Sequence, residues 1–325
     1  LPLNNPGGIR QSTALCYLDP ARRRSNLTIQ ADSLVHRILF EGQRAVGLRV
    51  EHDGKVSDIY GEKIVLCGGA IGSPHMLLRS GVGPADHLRE MGISVVLDLP
   101  GVGKNLRDHP QVRVIVKEKD AFLLDGTEPR LQVGLRYTAT GSHLRNDMFI
   151  HPGTSATEEG YDVSGDTKPF GFYVVAALYL AVGSGELKLA SVDPHVQPVL
   201  DFNFLTEAFD RARLAECVRV IIHMLNDEVF KEIIDERLDP TDADLETDDA
   251  LDAWIQRRVA TSHHVSSTCK MGLVSDGMAV VDGEGKVHGL EGLYVADASI
   301  MPDCIRANTN VTAMVIGERI ADFLK

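Results

Sequence analysis

Positive charge is scarce in this chain. Its 33 lysines and arginines face 46 aspartates and glutamates, a formal net charge of −13 at pH 7. A nucleic-acid binder needs basic surface, so nucleic acid is excluded as a partner. The balance suits a cytoplasmic protein that handles small neutral molecules. Apolar runs are short, and none approaches the roughly 20 residues of a membrane helix, so no membrane span is expected. Cysteines are few and scattered. Cys16, Cys67, Cys217, Cys269 and Cys304 form no Cys-x-x-Cys pair, which leaves out a redox dithiol and a zinc ribbon. His264 and Cys269 lack two further ligands at matching spacing, so no metal site is expected. The chain opens Leu-Pro-Leu-Asn-Asn-Pro-Gly-Gly, without the basic and apolar regions of a signal peptide, and reads like a loop entered in mid-domain. Also absent is a strand followed by Gly-x-Gly-x-x-Gly and, about 20 positions on, an acidic residue; this is the dinucleotide fingerprint.

What is present suffices for two domains or one large one: 325 residues, 44% hydrophobic and 24% charged. Short alternating or apolar stretches predict strands at Leu27–Gln30, Ser33–Phe40, Ala45–His52 and Ser57–Tyr60, with turns at Glu41-Gly42 and Asp53-Gly54. Lys63–Cys67 reads as a strand ending in Gly68-Gly69. Ser73 as N-cap and Pro74 as first helical residue then predict a helix to about Arg79, closed by Ser80-Gly81. Strand, glycine turn, helix is the local grammar of an α/β nucleotide-binding sheet. A second glycine run, Leu99–His109, has Gly-x-Gly without the third glycine and fails as a fingerprint.

Beyond Gln111 the pattern turns to strands and loops, with strands predicted at Val112–Val116, Leu131–Tyr137, Phe170–Val182 and Glu186–Leu189. Leu214, Val218, Ile221, Ile222 and Leu225 share one face of a helix over Ala208–Asn226. Nine acidic residues in Asp235–Asp252 read as a solvated surface. Thr247 reads as the N-cap of a helix carrying Leu251, Trp254, Ile255 and Val259 inward. Leu293–Ala296 is a short strand and Asp297–Asn310 a loop. Val311–Lys325 is a helix with Met314, Val315 and Ile320 inward and Thr309 or Asn310 as N-cap.

Chemistry concentrates in Thr261–Gly272, reading Thr-Ser-His-His-Val-Ser-Ser-Thr-Cys-Lys-Met-Gly. Two adjacent histidines there can move protons near neutral pH, or can equally be ordinary residues of a polar strand end. His75, His109 and His263 read as loop or packing residues, and Asn308, taken alone, as an asparagine at a helix start.

Several stretches together resemble the glucose–methanol–choline (GMC) family of flavin-dependent alcohol oxidoreductases. Gly69-Ala-Ile-Gly-Ser-Pro-His-Met-Leu-Leu-Arg-Ser-Gly-Val-Gly83 matches that family's second signature at every constrained position. Gly101–His109, Ala190–Pro194 and Tyr294–Pro302 are also family-like, and the likeness runs over the whole chain, weakest at about 117–170. His264-Val-Ser-Ser-Thr-Cys-Lys-Met-Gly272 sits where the family has His-Pro-x-Gly-Thr-Cys-x-Met-Gly. That register selects His264 as the catalytic histidine. Val265 and Ser267 depart from the usual Pro and Gly, so a slightly different backbone is expected there.

The resemblance implies an α/β (α+β) fold. It would combine an incomplete Rossmann-like FAD-binding domain with a substrate domain built on an antiparallel sheet with flanking helices. The division expected is 1–110, 111–272, and 273–325 as a C-terminal return into the first domain. The cofactor implied is FAD and the partner a small-molecule alcohol. The electron acceptor, oxygen or another, stays open. His264 would accept the hydroxyl proton, Asn308 would hydrogen-bond the substrate oxygen, and hydride would pass to flavin N5. Val35, Gly68, Gly69, Asp297, Ala298, Asn308 and Thr309 would line the cofactor, with the amides of the last helix aimed at the flavin. The family's first βαβ unit would precede Leu1. The sequence therefore reads as about three-fifths of a longer enzyme and is expected to hold FAD weakly or not at all on its own. A hydroxynitrile lyase of the same fold and a non-catalytic fragment are the alternatives.

Overall fold

The computed structural model describes residues 4–122, 133–156 and 170–325, apart from the side chain of Ser155. After a one-turn α1 (Asp19–Ala21), an antiparallel meander forms from β1 (Ser33–Glu41), β2 (Arg44–His52) and β3 (Lys55–Tyr60). The Asp53-Gly54 turn works because both residues take positive φ, 49° and 69°, which matches the twist of the flanking strands. The strand expected at Leu27–Gln30 does not form. That stretch lies exposed outside every sheet, and without a partner strand its apolar residues gain nothing from extension.

β4 (Ile64–Leu66) runs into α2 (Gly69–Arg79), whose N-cap is Gly68. The helix thus starts five residues before the predicted start, and Ser73 and Pro74 lie inside it. The cause is tertiary. Proline has no N–H for the Ala70 carbonyl one turn back, and the Thr268 hydroxyl donates to that carbonyl instead, at 2.7 Å. Ser73 is occupied elsewhere: its hydroxyl accepts from the Gly68 amide and donates to Asp297.

Two short strands, β5 (Val82–Gly83) and β6 (Leu97–Asp98), pair in parallel around α3 (Ala85–Glu90). The main sheet follows: β7 (Gln111–Glu118), β8 (Leu135–Tyr137), β9 (Met148–Ala156), β10 (Gly171–Leu178) and, after the hairpin β11 (Glu186–Lys188) and β12 (Val199–Asp201), β13 (Ile234–Asp239). Its order is β13–β7–β10–β9–β8, antiparallel throughout. The first two residues of the strand expected from Leu131 lie outside the described residues. Two strands of this five-stranded sheet went unpredicted. β9 carries Pro152 and Gly153, which read as breakers, but β8 pairs only as far as Ile150 and Pro152 falls beyond it. β13 lies at the edge inside the acidic stretch, and its two register shifts against β7 break the alternation that would have marked it as a strand.

One face of the sheet packs on α4 (Ala208–Leu225) and, past α5 (Glu228–Lys231) and α6 (Asp242–Leu245), on α7 (Asp248–Arg258). Val114, Ile150, Val174, Ala176, Leu214, Val218, Leu251 and Trp254 form that core. Thr247 caps α7 as predicted, accepting from the Ala250 amide at 3.1 Å. Strand alternation sends Phe149, Tyr173, Val175 and Ala177 to the opposite face, joined by Tyr179 just past β10.

β14 (Leu293–Val295) returns parallel to β4, with Leu293 opposite Ile64 and Val295 opposite Leu66, over a second core containing Leu77, Leu78, Leu106, Val281 and Ile300. The chain ends in α8 (Thr309–Leu324), capped at Asn308, one residue earlier than the nearest predicted cap. Ile320 is buried on it as predicted, but Val315 is 60% exposed and points away from the core. No helix among the described residues is long and apolar enough to cross a membrane.

Candidate active site

The segment Thr261–Gly272 is laid in place from two sides. Its first half runs antiparallel to Arg107–Gln111: the Gln111 and Ala260 amides and carbonyls exchange hydrogen bonds, and so do those of Arg107 and Ser266. Its second half follows Ala298–Ile300, with the Ser267, Cys269 and Met271 amides donating to the carbonyls of Ala298, Ser299 and Ile300. Ser267 is fully buried at φ 73°, the left-handed conformation natural to glycine. The departure from glycine therefore shows as a strained serine rather than as a path that avoids positive φ.

Asp108 organises the turn between the two halves. Its buried carboxylate accepts from the amides of His109 (2.7 Å) and His264 (3.0 Å) and from the Thr261 hydroxyl. Burial outweighs these hydrogen bonds and raises its pKa above the usual carboxylate value. His263 is exposed at φ 60°, while His264 is partly buried.

His109 lies in a loop and packs, and its packing bears directly on His264. It is 1% exposed, stacks on Tyr179 with centroids 4.1 Å apart, and places Nδ1 3.0 Å from Nδ1 of His264. Its Nε2 lies 2.8 Å from the Ile305 carbonyl, which can only accept, so that nitrogen carries the hydrogen. Burial, with His264 and Arg136 nearby, pushes the His109 pKa down to about 3, so the ring is neutral and its Nδ1 is an acceptor. His264 must then donate through Nδ1, which leaves the lone pair on its Nε2. Burial, then the proximity of His263 and His151, pushes His264 itself down to about 4. A neutral imidazole with a bare nitrogen is what a proton acceptor near pH 7 requires.

Asn308 joins the same cluster through Tyr179, whose hydroxyl lies 3.2 Å from Asn308 Oδ1. The Tyr179 ring is also edge-on to His264, at 6.4 Å, and its pKa is raised to about 12 by burial. Arg136 lies over the rings of Phe149 and Tyr179 and donates to the Arg306 carbonyl. His264 and Asn308 are held by partners to which the sequence reading gave no role at the site: His109, Asp108, Tyr179 and Arg136. The Asp-His pair at the end of the second glycine run was a visible signal; Tyr179 and Arg136 had none.

The expected cofactor-side residues fall into three places. Gly68, Gly69, Asp297 and Ala298 meet where β4 and β14 end side by side. The Asp297 carboxylate accepts from the Gly69 amide (3.0 Å), the Ser73 hydroxyl (2.5 Å) and the Ser299 amide (2.8 Å). Gly69 sits at φ 72°, and a Cβ on Gly69 or Gly72 would meet only open space. Val35 is tied to the far end of α2, its carbonyl accepting from Arg79 at 3.1 Å, roughly 16 Å along an 11-residue helix. Asn308 and Thr309 begin α8, whose N-terminus has no side-chain cap and no acidic residue in its first turn. Its free amides carry partial positive charge and suit an electron-rich group.

Residues 2–111 match the N-terminal model of GMC oxidoreductase and residues 181–317 the C-terminal one. The oxygen-dependent choline dehydrogenase of Burkholderia pseudomallei (strain 1710b) is 37% identical over 344 residues. That of Yersinia pseudotuberculosis serotype O:1b (strain IP 31758) is 36% identical over 343. Both matches cover 98% of this chain and 60% of the relative, so the chain spans about three-fifths of the length of these relatives. Among solved structures, pyridoxine 4-oxidase of Mesorbium loti matches with a TM-score of 0.86 at 25% identity, over 97% of this chain and 61% of that one. Formate oxidase of Aspergillus oryzae RIB40 matches in fold, with a TM-score of 0.83 at 22% identity, over 94% of this chain and 62% of that one. With both models matched and the architecture shared, the chain belongs to the GMC oxidoreductase family.

Proposed function

We propose that this chain carries the proton-handling side of an FAD-dependent alcohol oxidation, CH–OH to aldehyde or ketone. The observation that carries the reading is the His109–His264 pair, which leaves His264 neutral with Nε2 bare. His264 accepts the substrate's hydroxyl proton there. Asn308 has its Oδ1 engaged by Tyr179, so its Nδ2 hydrogens are free to hold the developing alkoxide. The choline dehydrogenases among the relatives favour a small alcohol as substrate.

FAD fits the residues present. The open space at Gly69 and Gly72 admits close approach of a ligand, and the uncapped start of α8 suits an electron-rich ring. Gly68, Gly69, Ala298, Val35, Asn308 and Thr309 would hold it, with Asp297 fixing the turn that the two glycines make. When bound, FAD supplies the two-electron acceptor that the alcohol carbon requires. The parallel pairing of β4 with β14 supports reading 273–325 as a return into a cofactor domain begun in 1–110. The antiparallel sheet supports 111–272 as the substrate domain. Five free cysteines, Cys16 and Cys67 exposed among them, support a cytoplasmic setting.

The test is to saturate the chain with FAD and add choline or simple primary alcohols without oxygen. Bleaching of the flavin, lost in His264→Ala, is the expected result. Cleavage of a cyanohydrin with the flavin unbleached would assign the chain to the lyases instead.

A further inference from the structure

Away from this cluster, three side chains converge from distant parts of the sequence. His36 sits in a bulge of β1, where the register with β2 shifts between Val35 and Arg37. A bulge re-aims the residue it contains, and the His36 ring reaches Glu51 on β2, with Nε2 2.9 Å from Oε2. His195 comes from the connection between β11 and β12. Its own amide donates to Asp193 Oδ1, and the Asp193 amide in turn takes the Ser191 hydroxyl as its acceptor. His195 Nε2 lies 3.3 Å from the same Glu51 oxygen, and the three donor atoms are all within 4.8 Å of one another.

We propose that His36, Glu51 and His195 form a binding site for one divalent transition-metal ion of the zinc type. The two imidazoles aim the same nitrogen at one carboxylate oxygen. Hydrogen bonding alone would need a proton on both Nε2 atoms. A metal ion replaces both and binds the neutral rings through their lone pairs. Zinc–nitrogen and zinc–oxygen bonds of roughly 2.0–2.2 Å set donor atoms about 3.3–3.6 Å apart in a tetrahedron; His195 Nε2 already stands 3.3 Å from Glu51 Oε2, and the 2.9 Å of His36 Nε2 has to open by a few tenths of an ångström. Two imidazoles and one carboxylate favour Zn²⁺, Co²⁺ or Ni²⁺ over Mg²⁺ or Ca²⁺, which take oxygen ligands. Three protein ligands leave a position for water. The ion would pin the β11–β12 connection onto the first sheet.

The experiment uses the chain stripped with a chelator, in a Cys16→Ser, Cys67→Ser background so that exposed thiols take no part. Calorimetric titration with Zn²⁺ is expected to show one ion per chain, and Co²⁺ to give a visible ligand-field band. His195→Ala, on an exposed loop, should weaken Zn²⁺ binding by on the order of 100-fold and abolish the Co²⁺ band, with Mg²⁺ inert throughout. Absence of binding, or Zn²⁺ affinity unchanged in both His195→Ala and His36→Ala, overturns the site.

Discussion

His109 and His264 face each other through their Nδ1 atoms at 3.0 Å, and the Ile305 carbonyl on the far side of His109 decides which of the two donates. In the proposed reaction His109 would thus be a positioning residue that keeps Nε2 of His264 free. Its loss should leave substrate binding nearly intact and slow turnover.

In the FAD-loaded chain, His264→Ala is expected to lower kcat by about 10²–10⁴-fold, the usual contribution of a placed base. His109→Leu should lower kcat with little change in KM. His109→Gln, whose amide can donate to Ile305 and accept from His264, should recover part of the loss. Equal damage by Leu and Gln would reduce His109 to a packing role.

Acid should weaken the fold before the carboxylates titrate. His109 and His264 have pKa values lowered to about 3 and about 4 from an unfolded value of 6.5. Between those values the unfolded chain binds more protons, so stability rises with pH. The raised Asp108 opposes this only where carboxylates protonate. Urea midpoints are expected to fall steadily from pH 7 to pH 4.5. His109→Gln should flatten the slope, and a pH-independent midpoint over that range would contradict the shifts. Turnover limited by His264 protonation should likewise persist well below pH 6.5.

The Thr268 hydroxyl stands in for the N–H that Pro74 lacks. Thr268→Val leaves the Ala70 carbonyl unpaired and should cost about 1–3 kcal/mol. In a Pro74→Ala background the helix supplies its own N–H, and the same substitution should cost about 1 kcal/mol less. Equal costs in both backgrounds would show that the two residues are not coupled.

Ser267 is held at φ 73° in a fully buried segment. Ser267→Gly should raise stability by on the order of 0.5–1 kcal/mol, net of the flexibility that glycine adds to the unfolded chain. Ser267→Val should lower the melting temperature, since a β-branched residue tolerates positive φ worst. A destabilising Ser267→Gly would mean that the Ser267–Ser266 hydroxyl contact at 3.2 Å outweighs the strain.

Local patterns in the sequence determine much of the fold. The meander β1–β3, the strand–glycine–helix unit at Gly68-Gly69, α4 and α7 all depend on neighbours a few residues apart: turn residues with positive φ, a threonine cap, apolar positions at helical spacing. The segment Thr261–Gly272 that brings His264 beside His109 is likewise visible as a unit in the sequence.

Tertiary structure decided what depends on distant partners. Pro74 reads as a helix start in sequence, yet it lies inside α2 because Thr268, from a remote part of the chain, answers its missing hydrogen bond. β9 and β13 are strands because β10 and β7 lie beside them, whatever their own breakers and charges suggest. Which nitrogen of His264 is bare depends on His109 and Ile305, and what steadies Asn308 depends on Tyr179. Sequence assigned the reactive residue types to their segments; only the packed chain set protonation and tautomer, because those follow from burial and from partners far away in the chain.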